Sequence, residues 1–271
     1  FGEDDNMRYF LGDVRDVERL KLALRVVDIV IHAAALKHIP SGETNPMEVI
    51  KTNVMGAQNV VMAAMDCGVK KVIALSTDKA VNAINLYGMT KGCAEKLFIA
   101  ANALSGAGGT AFSVVRYGNV INSRGSVIEL FKEQAKTGTI TITHPDMTRF
   151  FMRVEDSVEL VLYALRNMKG GEVYVPKLWT VRIAELARVI GGPDCAIETI
   201  GIRSGEKLHE TLISRDDARN TVEREGGFSI LPDFKWYERI PQKTMPPSWN
   251  YTSNNNHMMD ERQISEMVKT C

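Results

Sequence analysis

Short apolar runs alternate along the chain with segments whose apolar positions recur every three or four residues, the pattern of buried strands alternating with amphipathic helices. Met7–Leu11 (M-R-Y-F-L) reads as a strand, and Asp16–Arg25 as a helix with Val17, Leu20 and Leu24 on its apolar face. Val27–Ala33 (V-D-I-V-I-H-A) is nearly all apolar, as in a parallel strand covered on both faces. Asn45-Pro46 opens a long helix, with Asn as N-cap and Pro in the first turn, and Gly68 closes it. Val72–Leu75 is the next strand, followed by a helix carrying Tyr87 and Lys91, and Ala111–Arg116 a further strand. A helix over Ser126–Lys136, a strand over Thr139–Thr143, a helix over Glu155–Asn167, a strand over Gly171–Val175 and a helix over Thr180–Ile190 complete the pattern. The segment from Asp233, with Trp236, Trp249, an N-N-N-H run and scattered Pro, reads as irregular until a terminal helix at Asp260–Lys269. The alternation predicts an α/β protein with a doubly wound, Rossmann-type parallel sheet and a smaller C-terminal domain. Residues 1–122, with return segments near 150–176, are assigned to the dinucleotide-binding part, and 123–271 mainly to a substrate-binding part.

The segment Val72–Lys96 concentrates the candidate chemistry: a strand ending at Ser76-Thr77, then Asp78-Lys79, then Tyr87 and Lys91 four residues apart. On a helix such a pair shares one face, so a lysine ammonium can favour the ionised phenol and make it usable as a base near neutral pH. Open α/β sheets place ligands at the carboxyl ends of their strands, where Ser76 and Thr77 stand. Alone, a Tyr-x-x-x-Lys pair says little in a chain with seven Tyr, and an exposed helix face explains it equally well.

Composition narrows the function classes. A chain of 271 residues, 45% of them hydrophobic, can bury a sizeable core. Basic and acidic residues balance at 33 each, which gives no electrostatic case for nucleic acid or an acidic membrane surface. The expected partners are small molecules and like subunits in a homo-oligomer. Four scattered Cys without a C-x-x-C pair fit reduced thiols in the cytoplasm, and no apolar run has a membrane span's length. His32 has no second ligand at metal spacing and reads as a satisfied core histidine; no metal site is expected.

With the strand, the Ser-Thr end and the pair taken together, the segment resembles the extended short-chain dehydrogenase/reductases. More narrowly, S-T-D-K-A-V-N-x-I-N-L-Y-G-M-T-K is similar to the inverting UDP-N-acetylglucosamine 4,6-dehydratases that begin pseudaminic acid synthesis. R-Y-G-N-V-x-x-S-R-G-S-V, M-T-R-F at 147–150 and G-I-R-S-G-E-K-L-H-E at 201–210 carry the same resemblance. Ala83 and Ser204, which stand where the family has Pro, are small departures.

The resemblance implies a lyase of nucleotide-sugar and polysaccharide biosynthesis, using tightly bound NADP as a transient hydride acceptor, with NAD the alternative. Its implied catalytic residues are Thr77, Asp78, Lys79, Tyr87 and Lys91. Asp13, Val14, Ala33, Lys37, Thr52, Ser76, Tyr87, Lys91 and Val120 are implied along the cofactor, and Asn119, Arg124, Gly125, Ser126, Val127, Thr148, Arg203 and Glu206 along a UDP-sugar. For Thr52 solvent exposure or an interhelical contact, and for the 201–210 charges a solvated face, stay open. A glycine-rich phosphate loop is expected before the first strand and is not in these residues. The expectation is therefore a fragment lacking roughly fifty residues, one β-α-β unit, and binding dinucleotide weakly by itself. The competing readings are a retaining dehydratase, epimerase or reductase on the same scaffold, and a non-catalytic dinucleotide sensor.

Overall fold

The computed structural model describes residues 6–123, 125–235, 237 and 242–269. In chain order, α1 (Val17–Ala23) leads to β1 (Ile29–His32), followed by α2 (Ile39–Thr44), α3 (Pro46–Ile50), a π-helical turn over Lys51–Met55 and α4 (Gly56–Asp66). β2 (Lys71–Thr77) runs through a 3-10 turn at Asp78–Ala80 into α5 (Leu86–Ser105). Next come β3 (Ala111–Tyr117), β4 (Asn119–Val120), α6 (Val127–Ala135), β5 (Thr139–Ile142), β6 (Thr148–Met152) and α7 (Val154–Asn167). The remainder holds β7 (Val173–Pro176), β8 (Trp179–Arg182), α8 (Ile183–Gly191), β9 (Ala196–Thr199), β10 (Thr211–Ile213), α9 (Arg215–Ala218), β11 (Thr221–Arg224), β12 (Gly227–Ile230), β13 (Tyr251–Thr252) and α10 (Glu261–Lys269).

The central sheet has the order β1-β2-β3-β7-β12-β11; its first four strands are parallel and its last two antiparallel. Side chains on a strand alternate between faces, and here each face meets its own helices. Val72, Ala74, Phe112 and Val114 join the core under α4 and α5, whereas Ile73 and Val115 pack with Val161, Ala164 and Met168 of α7. A second core, with Phe131 of α6, Ile140 of β5, Leu186 of α8 and Ile264 of α10, sits among the C-terminal elements.

Four expectations are corrected. Met7–Leu11 forms no strand: β1 is a sheet edge paired with β2 alone among the described residues, and a strand without a neighbour leaves its amides and carbonyls unpaired. For the same reason Ile29 and Ile31 of β1 are about half exposed, at 47% and 50%, so that strand is covered on one face rather than two. The helix expected over Thr180–Ile190 begins only at Ile183, because β-branched Thr180 and Val181 pair antiparallel with Phe150 and Arg149. Asn45 stands at the N-cap of α3 but makes no capping bond; its amide turns back to donate to the Ser41 carbonyl at 2.9 Å.

The hairpin of β11 and β12 was not foreseen, and it adds two strands to the sheet. Gly226, at φ 74°, makes its turn, and a Cβ on Gly227 would lie 2.4 Å from the Val175 carbonyl oxygen.

Gly88 sets the position of everything chemical that follows. A Cβ there would lie 2.1 Å from the Lys79 carbonyl oxygen, so only glycine lets α5 press against the 3-10 turn after β2. Asn85 caps this helix by accepting from the Gly88 amide at 2.8 Å. We predict that Gly88→Ala lowers stability by about 3 kcal/mol in chemical denaturation, as expected of forced overpacking. Gly92→Ala, whose Cβ would meet the Ala80 carbonyl oxygen at 3.2 Å, should cost less because the helix gains about 1 kcal/mol of propensity. Equal losses for the two would count against this packing.

Candidate active site

β2 ends at Thr77, whose hydroxyl donates to Asp78 Oδ1 at 3.0 Å and accepts from the Lys79 amide at 3.3 Å. The turn buries Asp78 completely and swings Lys79 Nζ back to donate to Asp78 Oδ1 at 3.0 Å. Asn119, at the start of β4, accepts from the same ammonium at 3.3 Å. Glu210, just before β10, approaches it with Oε1 at 3.5 Å. Tyr87, brought in by Gly88, has its phenol pushed up by burial, countered by the Lys79 charge and a hydrogen bond with Thr77. Thr77, Asp78, Lys79, Tyr87 and Asn119 therefore meet at one point. Burial also raises the Asp78 carboxyl, and the ionised Glu210 adds to that; Lys79 acts in the opposite sense. Lys79 keeps its proton more firmly than a free lysine because Asp78 and Glu210 outweigh its own burial.

Lys91 lies one turn beyond Tyr87 and is buried, which brings its pKa down to about 8, with Glu95 partly offsetting the fall. Its charge helps burial hold His32 at about 4. The Lys79 charge also acts on the Tyr87 phenol, beside the Lys91 expected there. Ser76, one residue before Thr77, points to the opposite face of the sheet, as alternation requires. Its hydroxyl donates to Glu95, which also takes a two-pronged bond from Arg116 at 3.0 and 2.6 Å. That committed hydroxyl leaves Ser76 only backbone groups for a cofactor.

The expected cofactor residues flank the β1 end. Asp13 is exposed and held by Arg15 at 2.7 Å, which pulls its carboxyl down to about 2. Val14 packs where a Cβ on Gly56 would stand, 2.7 Å from its Cγ2. Ala33 and Lys37 are exposed, and Thr52 and Val120 are half-buried. Asn53, buried within the π-helical turn, clamps the strand-end loop by bonding both the Leu36 amide (2.8 Å) and carbonyl (3.0 Å), and reaches Thr90 Oγ1 at 3.0 Å. A π-turn inserted into a helix is common at functional sites, and here it aims that amide.

Among the expected substrate residues, Arg124 lies outside the described residues. Gly125 has φ 75°, and Ser126 stands at the N-cap of α6 with a buried hydroxyl that makes no hydrogen bond among the described residues. Val127 begins α6. The Thr148 hydroxyl is buried between His209 Nδ1 (2.8 Å) and Ser253 Oγ (2.6 Å), an internal tie. Arg203 is exposed, its amide donating to Glu206 Oε2 at 3.4 Å, and Glu206 also lies 3.6 Å from Arg149. The 201–210 loop is fastened to the centre: Asn85 donates to the Gly205 carbonyl at 2.7 Å and Lys207 to the Val81 carbonyl at 2.6 Å. Glu210 escaped the sequence reading because a charge run resembles a solvated face; only its burial distinguishes it. Two cavities of about 760 and 850 Å³, which share Lys177, Leu178, Trp179 and Phe228, contain none of these residues.

The sequence profile of the family described as polysaccharide biosynthesis protein matches residues 2–232. The chain belongs to this family. Within reach of it stands the UDP-N-acetylglucosamine 4,6-dehydratase (inverting) of Campylobacter jejuni, 47% identical over 97% of this chain and 82% of its own length. The UDP-glucose 4-epimerase of Rickettsia prowazekii is 42% identical over 98% of this chain and 81% of its length. The solved structure of Pen from Bacillus thuringiensis superposes with a TM-score of 0.90 at 35% identity, covering 98% of this chain and 82% of that one. The fold and the resemblance expected from residues 72–96 thus stand.

One pH dependence follows from Lys91. Its folded pKa of about 8 lies below the ordinary 10.5, so the unfolded chain binds the proton more tightly and stability rises with pH through that window. Compared with Lys91→Met, the wild-type protein should gain about 3 kcal/mol between pH 8 and 10.5, read from denaturant midpoints. A constant difference would mean that Lys91 is not desolvated.

Proposed function

We propose that the chain carries out 4,6-dehydration of UDP-N-acetylglucosamine with inversion at C5, a lyase reaction early in the synthesis of surface glycans such as pseudaminic acid. The observation that carries this reading is the pair of buried Asp78 and partly buried Lys79, bonded at 3.0 Å beside Tyr87. An epimerase or simple reductase leaves the C6 hydroxyl in place and has no use for such a pair. The Campylobacter relative, named for this reaction and 47% identical, supports the same choice over the Rickettsia epimerase at 42%.

The strand ends fit a nicotinamide dinucleotide. Exposed Ala33 and Ala34 present only methyl groups after β1, a bare shelf for a flat ligand, and the exposed Lys37 ammonium beside them suits a polyanion. When bound, such a cofactor supplies reversible hydride acceptance, oxidising C4 and later reducing C6. We assign NADP, with NAD as the alternative. The Ser126 hydroxyl, buried at the start of α6 without a hydrogen bond among the described residues, suits a substrate phosphate, with Gly125 leaving the approach open.

Tyr87 takes the C4 hydroxyl proton as C4 is oxidised, its phenol eased toward ionisation by Lys79. The resulting 4-ketone acidifies the C5 hydrogen. Lys79 removes that proton and Asp78 protonates the departing C6 hydroxyl. Both active forms arise from the resting ion pair by one proton moving along the Lys79 Nζ to Asp78 Oδ1 hydrogen bond. Elimination of water restores the pair; a solvent proton then reaches C5 from the opposite face and inverts that centre, balanced by release to solvent of the proton Tyr87 took from the C4 hydroxyl. Asn119 holds Lys79 from the side of β4, and Thr77 fixes both Asp78 and Tyr87. We further assign a homo-oligomer working in the cytoplasm. Among the described residues, no helix is long and apolar enough to cross a membrane.

Turnover in heavy water should give product with deuterium at C5 and the original C4 hydrogen at C6, read by NMR and mass spectrometry. Lys79→Ala should still reduce cofactor transiently yet form 6-deoxy-4-keto sugar at least about 10²-fold more slowly, because elimination has lost its base. Retention of the original C5 hydrogen by the wild-type protein would replace this reading with an epimerase or reductase. Tyr87→Phe should lose about 10² or more in the first oxidation while still binding UDP-sugar in calorimetry; normal oxidation would show that another base serves C4.

A further inference from the structure

Beyond the residues that the reaction uses directly, one buried carboxylate stands unexplained. Glu210 is 2% exposed, and it enters the site from a chain segment remote from the Asp78-Lys79 turn. Its Oε1 lies 3.5 Å from Lys79 Nζ and 4.0 Å from Arg149 Nε, and its Oε2 lies 3.4 Å from Lys207 Nζ. Its backbone is pinned on both sides by Ser253: the amide donates to Ser253 Oγ at 2.9 Å, and the carbonyl accepts from the Ser253 amide at 2.9 Å. Ser253 is in turn fastened to Thr148 at 2.6 Å. Such bracing holds a charge at a fixed distance from Lys79.

We propose that Glu210 is the positioning residue of the Asp78–Lys79 pair, holding the ammonium as a second carboxylate so that Asp78 is free to keep a proton for the leaving hydroxyl. Lys79 otherwise has Asp78 as its sole carboxylate within 4.0 Å among the described residues. With Asp78 alone, the pair would rest as a tight ion pair whose carboxylate is fully ionised. A second carboxylate shares the ammonium and repels negative charge on Asp78, and both effects act in the directions seen at these groups. Among the described residues, the charged and titratable groups that act on the pair are Tyr87 from α5, Arg149 from β6, and Lys207 and Glu210 from the segment before β10. Arg149 and Lys207 both face Glu210 and offset part of its charge, but each is shared: Arg149 also pairs with Glu206 at 3.6 Å, and Lys207 donates to the Val81 carbonyl.

The inference rests on the dehydratase reading only for its meaning, so its test is a titration that needs no turnover. Lysine side chains labelled with ¹³C at Cε are followed by NMR against pH in the 271-residue protein, with Lys79→Arg identifying the Lys79 signal. In Glu210→Gln, which keeps the volume and removes the charge, the Lys79 midpoint should fall by about one unit or more. Glu210→Asp, which keeps the charge, should leave it within a few tenths of a unit. An unmoved midpoint in Glu210→Gln, with its other lysine signals native, overturns the proposal. Dehydration assayed in parallel adds a second readout. Both limbs of its pH–rate profile should move to lower pH in Glu210→Gln, because the base and the acid lose the same negative neighbour. A residue of merely structural importance would lower the rate at every pH and leave the limbs where they are, which would also overturn it. If the wild-type protein forms no 6-deoxy-4-keto sugar, the reaction assignment falls, and the Lys79 midpoint still decides the role of Glu210.

Discussion

The site depends on a partly buried ammonium held between two carboxylates. Burial works against the Lys79 charge, and Asp78 and Glu210, from two distant parts of the chain, outweigh it. An isolated buried charge is costly enough that each neighbour is constrained by it. Asp78 has no exposure at all, Asn119 turns its carbonyl oxygen inward, and Arg149 and Lys207 balance the second carboxylate. The contact between α5 and the turn closes this group from above. The chemistry and the packing are therefore one problem, solved by the same few residues.

A second buried ion pair lies across the sheet and does a different task. Glu95 and Arg116 bond through two prongs beneath Ser76, and Arg116 also donates to the Leu212 carbonyl at 2.8 Å. Removing one partner of such a pair typically costs about 3–5 kcal/mol, because the other is left charged and unpaired. The pair ties α5 and β3 to the segment that carries Glu210, so the strand end is held on one face by structure and on the other by reactive groups. Ser76 and Thr77 are adjacent in sequence and belong to these two separate systems.

Much of this was legible in the sequence wherever local rules decide the outcome. The apolar runs located β2, β3 and β7, Asn45-Pro46 and Gly68 marked the boundaries of the helical stretch before β2, and S-T-D-K with Tyr87 identified the reactive turn. Local rules failed where a distant partner decides. Thr180 and Val181 read as helical until β6 claims them, and the hairpin at Thr221–Ile230 takes its place only because β7 offers an edge. Lys91 shares a helix face with Tyr87, as expected, and its burial, which no local window shows, brings its pKa down to about 8. Glu210 looked like one more exposed charge in G-I-R-S-G-E-K-L-H-E, since nothing in that string announces its burial. The pairing across more than a hundred residues is a property of the fold and not of any window.

That separation has a kinetic side. The hydrogen bonds closing the centre join Thr148 to Ser253, Asn85 to Gly205 and Lys207 to Val81, with sequence separations of 105, 120 and 126 residues. Contacts of such high order form late, after the loop-closure entropy has been met by the sheet and its helices. The parallel strands can assemble before the segment from Glu210 to Ser253 docks, and only that docking brings the second carboxylate to Lys79. The reactive centre is thus a seal placed on a scaffold that is already folded, and a nascent chain released before that segment emerges would hold the catalytic turn but not the environment that gives its lysine and aspartate their separate tasks.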